Sequence, residues 1–115
     1  MLRRDDLLLK DISDACDKVL RYTKGLSRDR FFEDERTYDA VLRNLEIIGE
    51  AAKNVSEETK KKSLSIEWRK IGGFRDVVVH EYFGIDQNIL WNIITIEVSM
   101  LKEQLKGIPK KNPQS

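Results

Sequence analysis

The chain contains one histidine, His80, and the residues around it set what it can do. In the run Arg75-Asp76-Val77-Val78-Val79-His80-Glu81-Tyr82-Phe83-Gly84, an arginine stands five positions before it and a tyrosine two positions after. Histidine is the one side chain whose unperturbed pKa lets it give or take a proton near neutrality, and arginine is the fixed cation best shaped to clamp a phosphate. Together they suggest phosphate chemistry. Tyr82 adds a hydroxyl that is a ligand, a nucleophile or a target for modification. A zinc-protease helix beginning at His80-Glu81 needs a second histidine at position 84, which is Gly84, and one histidine with the lone Cys16 does not make a zinc site within one chain. Gly72-Gly73 lacks the glycine spacing of a dinucleotide fold and the Lys-Ser/Thr of a P-loop. The expectation is therefore no metal and no cofactor.

The elements that must position these residues read as helices. Leu8, Ile12, Ala15, Val19 and Tyr22 recur at 4-3-4-3, one stripe along a helix from Asp5 to Lys24 that Gly25 is placed to end. Ser27 or Asp29 caps a short turn through Phe32, and Glu33-Asp34-Glu35 puts carboxylates where the next helix begins, as its dipole favours. From Asp34 to Val55, Tyr38, Val41, Leu45, Ile48, Ala52 and Val55 make the longest clean stripe. Glu46 and Glu50 are i,i+4 neighbours on one face of this helix, read as a solvated face or an intersubunit salt bridge. Gly49 costs roughly 1 kcal/mol against alanine in mid-helix, so it predicts close approach by another backbone. A short helix follows Ser56 and ends in Lys60-Lys61-Lys62, the best local candidate for a phosphate-backbone contact.

Ser65 or Ile66 is expected to open a fourth helix, interrupted at Gly72-Gly73 and running to Val79 or His80. The three valines alone suggest a strand, but no second strand-like run exists to pair with it. Asp86 caps a fifth helix from Gln87 to Lys106. It carries Ile89, Leu90, Trp91, Ile93, Ile94, Ile96, Val98, Met100, Leu101 and Leu105, more apolar surface than one small bundle can cover, which points to a homodimer. Residues 1–107 read as one helical domain and 108–115 as a flexible tail.

Composition narrows the class. Charged residues at 36% and hydrophobic ones at 40%, with 6 Gly and 2 Pro, suit an all-α domain and leave too few turn residues for an all-β one. The net charge of +1 gives no global basic field, so nucleic-acid binding must rest on a local cluster. Unpaired Cys16 favours a reducing compartment and is expected as a small buried side chain. No apolar run approaches a membrane span and no signal-peptide core follows Met1-Leu2-Arg3-Arg4, so a cytoplasmic protein without membrane partner is expected.

The order Arg75, four residues, His80, one residue, Tyr82, with Asp76 directly after the arginine, resembles the motif of HEPN-domain proteins, and more narrowly the HepT toxins that pair with a minimal nucleotidyltransferase antitoxin. Three further blocks match in order: Asp39 through Ala52, Ile66-Glu67-Trp68-Arg69-Lys70-Ile71, and Asp86 through Leu105. Glu67 departs from the proline usual before that tryptophan. The resemblance implies an all-α, HEPN-type up-and-down bundle of four to five helices, dimeric, acting as the toxin of a type VII-like toxin–antitoxin pair. It implies Arg75 and His80 as catalytic residues of a metal-independent endoribonuclease, Asp76 and Tyr82 as supporting residues, and Tyr82 as the acceptor of AMP from the partner nucleotidyltransferase.

Such chemistry is consistent with the residues present. RNA carries its own nucleophile, the 2′-hydroxyl, so a base, an acid and a cation suffice. One chain has one histidine, and a two-fold dimer supplies the second. Five residues on an ideal helix rotate by about 140°. Arg75 and His80 therefore share a face only if the helix ends or bends before the histidine, unless the arginine meets the partner's histidine. Two plainer readings stand beside this: His80 bonded to a carbonyl with Arg75 paired to Asp76 or Glu81, and a non-catalytic helical dimer that binds a nucleotide or partner protein through the same groove.

Overall fold

Helix boundaries follow from local capping chemistry. In a computed structural model that describes residues 3–81, 84 and 86–108, α1 spans Arg3–Thr23 and stops where Gly25 takes φ of 79°. That left-handed conformation strains any residue with a Cβ. Ser27 accepts a hydrogen bond from the Arg30 amide to start α2, Arg28–Glu33. Asp34 accepts from the amide and the hydroxyl of Thr37 to start α3, Glu35–Asn54. Ser56 starts α4, Glu57–Lys61, by the same device.

The next helix opens later than the sequence suggests. It begins at Trp68 rather than Ser65 or Ile66, and Glu67 at its cap makes no side-chain hydrogen bond. The loop before it is held instead by the Trp68 indole, which donates to the carbonyl of Ser63 at 3.2 Å. The two glycines divide this stretch into α5, Trp68–Gly72, and α6, Phe74–Glu81. Asp86 accepts from the Asn88 amide to start α7, Gln87–Asn92. The last helix then widens to π geometry over Ile93–Glu97 and returns to α-helix as α8, Val98–Lys106. The Thr95 hydroxyl donates to the Trp91 carbonyl at 2.8 Å where this widening occurs, a side-chain bond that competes with the helical ladder.

One core joins these helices, so the chain is a single all-α bundle. α3 packs on α1, α5 and α6, while α1 turns another face to the last helix. Ile12 and Val19 from α1, Val41, Leu45 and Ile48 from α3, Phe74 from α6, and Leu90, Ile94, Val98 and Leu101 from the last helix are all fully buried. Cys16 is buried with them, and burial, aided by the Asp17 carboxylate, pushes its thiol up to about 12, so it stays protonated and unreactive. Trp91 is absorbed within the chain, stacked 5.5 Å from Phe31. The rest of the surplus on the last helix stays outside: Ile89, Ile96 and Met100, spaced seven and four apart, are each about half exposed. Ile108, placed in the tail by the sequence, is buried at 5% exposure among the core residues.

The start of α1 is tied to the middle of the chain by a buried acid. Asp5 is 1% exposed and accepts from the Ser56 amide at 3.1 Å, the Ser56 hydroxyl at 2.5 Å and the Thr59 hydroxyl at 2.6 Å. Burial acts to raise the Asp5 pKa, but these hydrogen bonds outweigh it and hold the carboxyl below its ordinary value. Asp5→Ala takes the acceptor from the buried Thr59 hydroxyl and the part-buried Ser56 hydroxyl and should lower unfolding free energy in urea by about 2–3 kcal/mol. The folded pKa is depressed, so this stabilisation is complete above the ordinary aspartate pKa of 3.8 and fades as pH falls through the folded value. The gap between wild type and Asp5→Asn should narrow in denaturation curves recorded below about pH 4.

Candidate active site on helix α6

The site is built where the backbone of α3 meets the start of α6. A Cβ on Gly49 would stand 2.8 Å from the Arg75 amide nitrogen and 3.1 Å from the Gly72 carbonyl oxygen, so only glycine lets the two helices touch here. The close approach expected of Gly49 is thus made, and the backbone it receives is that of the arginine in question. Gly72 repeats the device on a smaller scale, its bare Cα lying under the stem of Lys53, whose Cγ is 3.1 Å from where a Cβ would be.

Arg75 is half exposed, and its Nε lies 3.6 Å from Oε2 of Glu50, an ion pair slightly too long for a full hydrogen bond. Among the described side chains its partner is thus Glu50 and not the adjacent Asp76, which is exposed on α6; the Glu81 side chain lies outside those described. Glu46, the other acid of that α3 face, turns instead to Arg43 at 4.0 Å. The Glu50–Arg75 pair was missed because 25 positions separate the two residues, although Gly49 marked the crossing beside which both lie.

His80 is exposed near the end of α6, and the helix runs on through Glu81. No break precedes the histidine. On a regular helix the two side chains thus leave in directions about 140° apart, and one chain by itself does not bring Arg75 and His80 onto one face. Tyr82 lies outside the described residues. Of the three lysines at the end of α4, Lys60 is partly covered and pairs with Glu57 at 3.7 Å.

Among the described residues no group of three or more His, Cys, Asp or Glu side chains is placed to hold a metal ion. A cavity of about 280 Å³ opens between α5 and the last helix, lined by Ser65, Lys70, Ile71, Ile96, Glu97 and Met100 among others, and it includes none of Arg75, Asp76 or His80. Its polar rim is already satisfied, with Lys70 on Glu97 at 2.5 Å and the Gln104 amide donating to the Ser65 carbonyl at 2.8 Å. No helix among the described residues is long and apolar enough to cross a membrane.

A helical bundle that carries Arg-x4-His exposed on a short helix, braced from behind by a glycine, is the arrangement of a HEPN-type domain. The ribonuclease HepT-like family model matches residues 12–108, and the chain belongs to that family. It is 39% identical over 103 residues to a protein of Caldanaerobacter subterraneus subsp. tengcongensis provisionally named an RNase, covering 90% of this chain and 92% of the relative. A protein of Thermococcus cleftensis named a probable ribonuclease HepT is 35% identical over 89% of this chain and 93% of its own length. A provisionally named RNase of Methanocaldococcus jannaschii is 33% identical over 92% of this chain and 98% of its own length. No solved structure matches the chain.

Gly49→Ala tests the crossing. Alanine alone would favour the helix by about 1 kcal/mol, but the methyl must displace backbone on α6, and overpacking of this kind costs about 1–3 kcal/mol. The variant should be destabilised in thermal denaturation, against the helix-propensity trend, and the Arg75 amide resonance should shift more than that of Asp76.

Proposed function

We propose that this protein is a metal-independent endoribonuclease, the toxin of a toxin–antitoxin pair, with Arg75 and His80 as its catalytic residues. The observation that supports this most is the exposure of both side chains on α6 in a chain of the HepT-like family. Neither is spent on the core. Arg75 offers charge to the scissile phosphate, and His80 exchanges protons with the reacting oxygens. The 2′-hydroxyl loses its proton to a base and attacks phosphorus; the bond to the 5′-oxygen breaks, an acid protonates that oxygen, and a 2′,3′-cyclic phosphate remains. Asp76 supports the arginine beside it.

In this reading a second copy supplies what one chain lacks. His80 and Arg75 diverge by about 140° on one helix, so an acid, a base and a cation around one phosphate are best met by two copies of α6 about a two-fold axis. The exposed stripe of Ile89, Ile96 and Met100 on the last helix is the apolar surface such a dimer would cover. RNA is the substrate, and the regulating partner is a minimal nucleotidyltransferase. That enzyme would transfer AMP to Tyr82: the tyrosine hydroxyl attacks the α-phosphate of ATP, pyrophosphate leaves, and the new phosphodiester stands two residues from His80. Its negative charge and bulk would compete with RNA for the same cations.

Cleavage of an RNA oligonucleotide should persist in EDTA, yield a 2′,3′-cyclic phosphate, and leave the DNA counterpart intact. His80→Ala should abolish it, and Arg75→Lys should restore little, since a lysine lacks the two-pronged contact. Full activity of His80→Ala would show that the nuclease assignment to this motif is wrong, whereas a wild-type protein that cuts no RNA would leave instead a non-catalytic helical dimer that binds a nucleotide or a partner protein. Tyr82→Phe should keep much of the wild-type rate yet escape inactivation by the nucleotidyltransferase and ATP, with mass spectrometry of the wild type locating one or more AMP groups on Tyr82. AMP found on another residue removes the switch from this position.

A further inference from the structure

We propose that Glu50 is a positioning residue for the reaction, holding the Arg75 guanidinium by its Nε so that the opposite Nη1/Nη2 edge is presented to an RNA phosphate. The inference rests on the reading that Arg75 contacts substrate phosphate, and it adds a residue outside the Arg-x4-His motif.

Three observations converge on it. Consecutive residues of α3 hold the same arginine at both ends: Gly49 admits its main chain, with the Arg75 amide 2.8 Å from a would-be Cβ, and Glu50 meets its head at 3.6 Å. Glu50 also has a nearer cation in sequence, Lys53 one turn along, and does not use it. The Lys53 stem lies over Gly72 and its ammonium has no partner among the described residues, so the carboxylate is committed across the helix crossing and not along its own helix. Finally, the contact is made at Nε. A guanidinium carries donors on all sides, and a carboxylate at Nε leaves the paired Nη edge, the one that matches two phosphate oxygens, unoccupied.

The exposure of the pair separates a positioning role from a stabilising one. Both side chains are about half in solvent, Arg75 at 49% and Glu50 at 58%, and ion pairs so exposed contribute little to folding. What the pair does supply is order. A long, freely rotating side chain must be fixed before it can stabilise charge on phosphorus, and fixing it in advance removes that cost from the reaction step.

Single-turnover cleavage of an RNA oligonucleotide tests this, with Glu46→Gln as the control on the same face of α3. Glu50→Gln should lower kcat about tenfold and change KM less than about twofold, with the melting temperature held to within a degree or two. The double variant Arg75→Ala with Glu50→Gln should be no slower than Arg75→Ala alone, because a residue that acts through Arg75 has nothing left to position. A Glu50→Gln enzyme as fast as wild type, or faster, overturns the inference and leaves the ribonuclease reading intact, as do losses that multiply in the double variant. A wild-type protein that cuts no RNA removes that reading, and NMR then decides the positioning. The Arg75 Nε–H resonance, identified by its loss in Arg75→Lys, should move and exchange faster with water in Glu50→Gln and stay put in Glu46→Gln. An unmoved resonance overturns the inference whatever the activity.

Discussion

The absence of a side chain at Gly49 is the constraint on which the rest depends. A methyl group there would enter the space of the Arg75 amide and the Gly72 carbonyl, so the whole approach of α6 to α3 is set by one missing carbon. Because α3 is also the helix that packs on α1, α2 and α5, the same crossing that seats the arginine fixes α6 against the centre of the bundle. Packing and chemistry share a single contact. The helix gives up about 1 kcal/mol of intrinsic propensity at that position, a small sum beside the cost of having no defined place for Arg75.

Around that crossing, charge is handled locally. The chain is nearly neutral, and among the described residues most ion pairs are local: Lys10 with Asp14, Arg43 with Glu46, Lys60 with Glu57, Lys106 with Glu103. Such pairs neutralise the surface and contribute little to folding. Against this background the long-range pairs stand out, since each ties separate elements: Arg75 to Glu50, Lys70 to Glu97, Lys102 to Asp17. Only the first involves a residue of the candidate site. The one deeply buried acid among the described residues, Asp5, is satisfied by hydroxyls and an amide, so it fastens without a counter-charge.

What the sequence made legible was local, and what it hid was distant. Gly25, Ser27, Asp34, Ser56 and Asp86 announce helix ends because capping is chemistry within three or four residues, and each sits where it was expected. The stripes through Val19 and Ile48 gave the core for the same reason. Glu50 was visible as an acid on a helix face, but its partner is 25 positions away, and Asp5 finds Ser56 and Thr59 more than fifty positions on. No local pattern carries such pairings. Ile66 was read as a helix start because Trp68, Ile71, Phe74 and Val78 recur at helical spacing after it, whereas the Trp68 indole bonds back to Ser63 and a loop stands there. The π widening needed Thr95 to bond back to Trp91, a choice that a polar residue between isoleucines does not announce. The 140° between Arg75 and His80 followed from their spacing alone, and the unbroken α6 preserves it.

The placement of α1 bears on how the molecule comes into being on the ribosome. α1 lies against α3 on one side and against the final helix on the other. As the chain emerges, α1 and α3 can dock as a hairpin, and Asp5 is latched once Ser56 and Thr59 have cleared the exit tunnel. The helices of the candidate site, α3 and α6, are therefore made before the stretch that closes the core. Until Leu90, Ile94, Val98 and Leu101 arrive, the far side of α1 stays bare. A nascent chain thus holds its Arg-x4-His helix in hand while it still lacks the seal on its core.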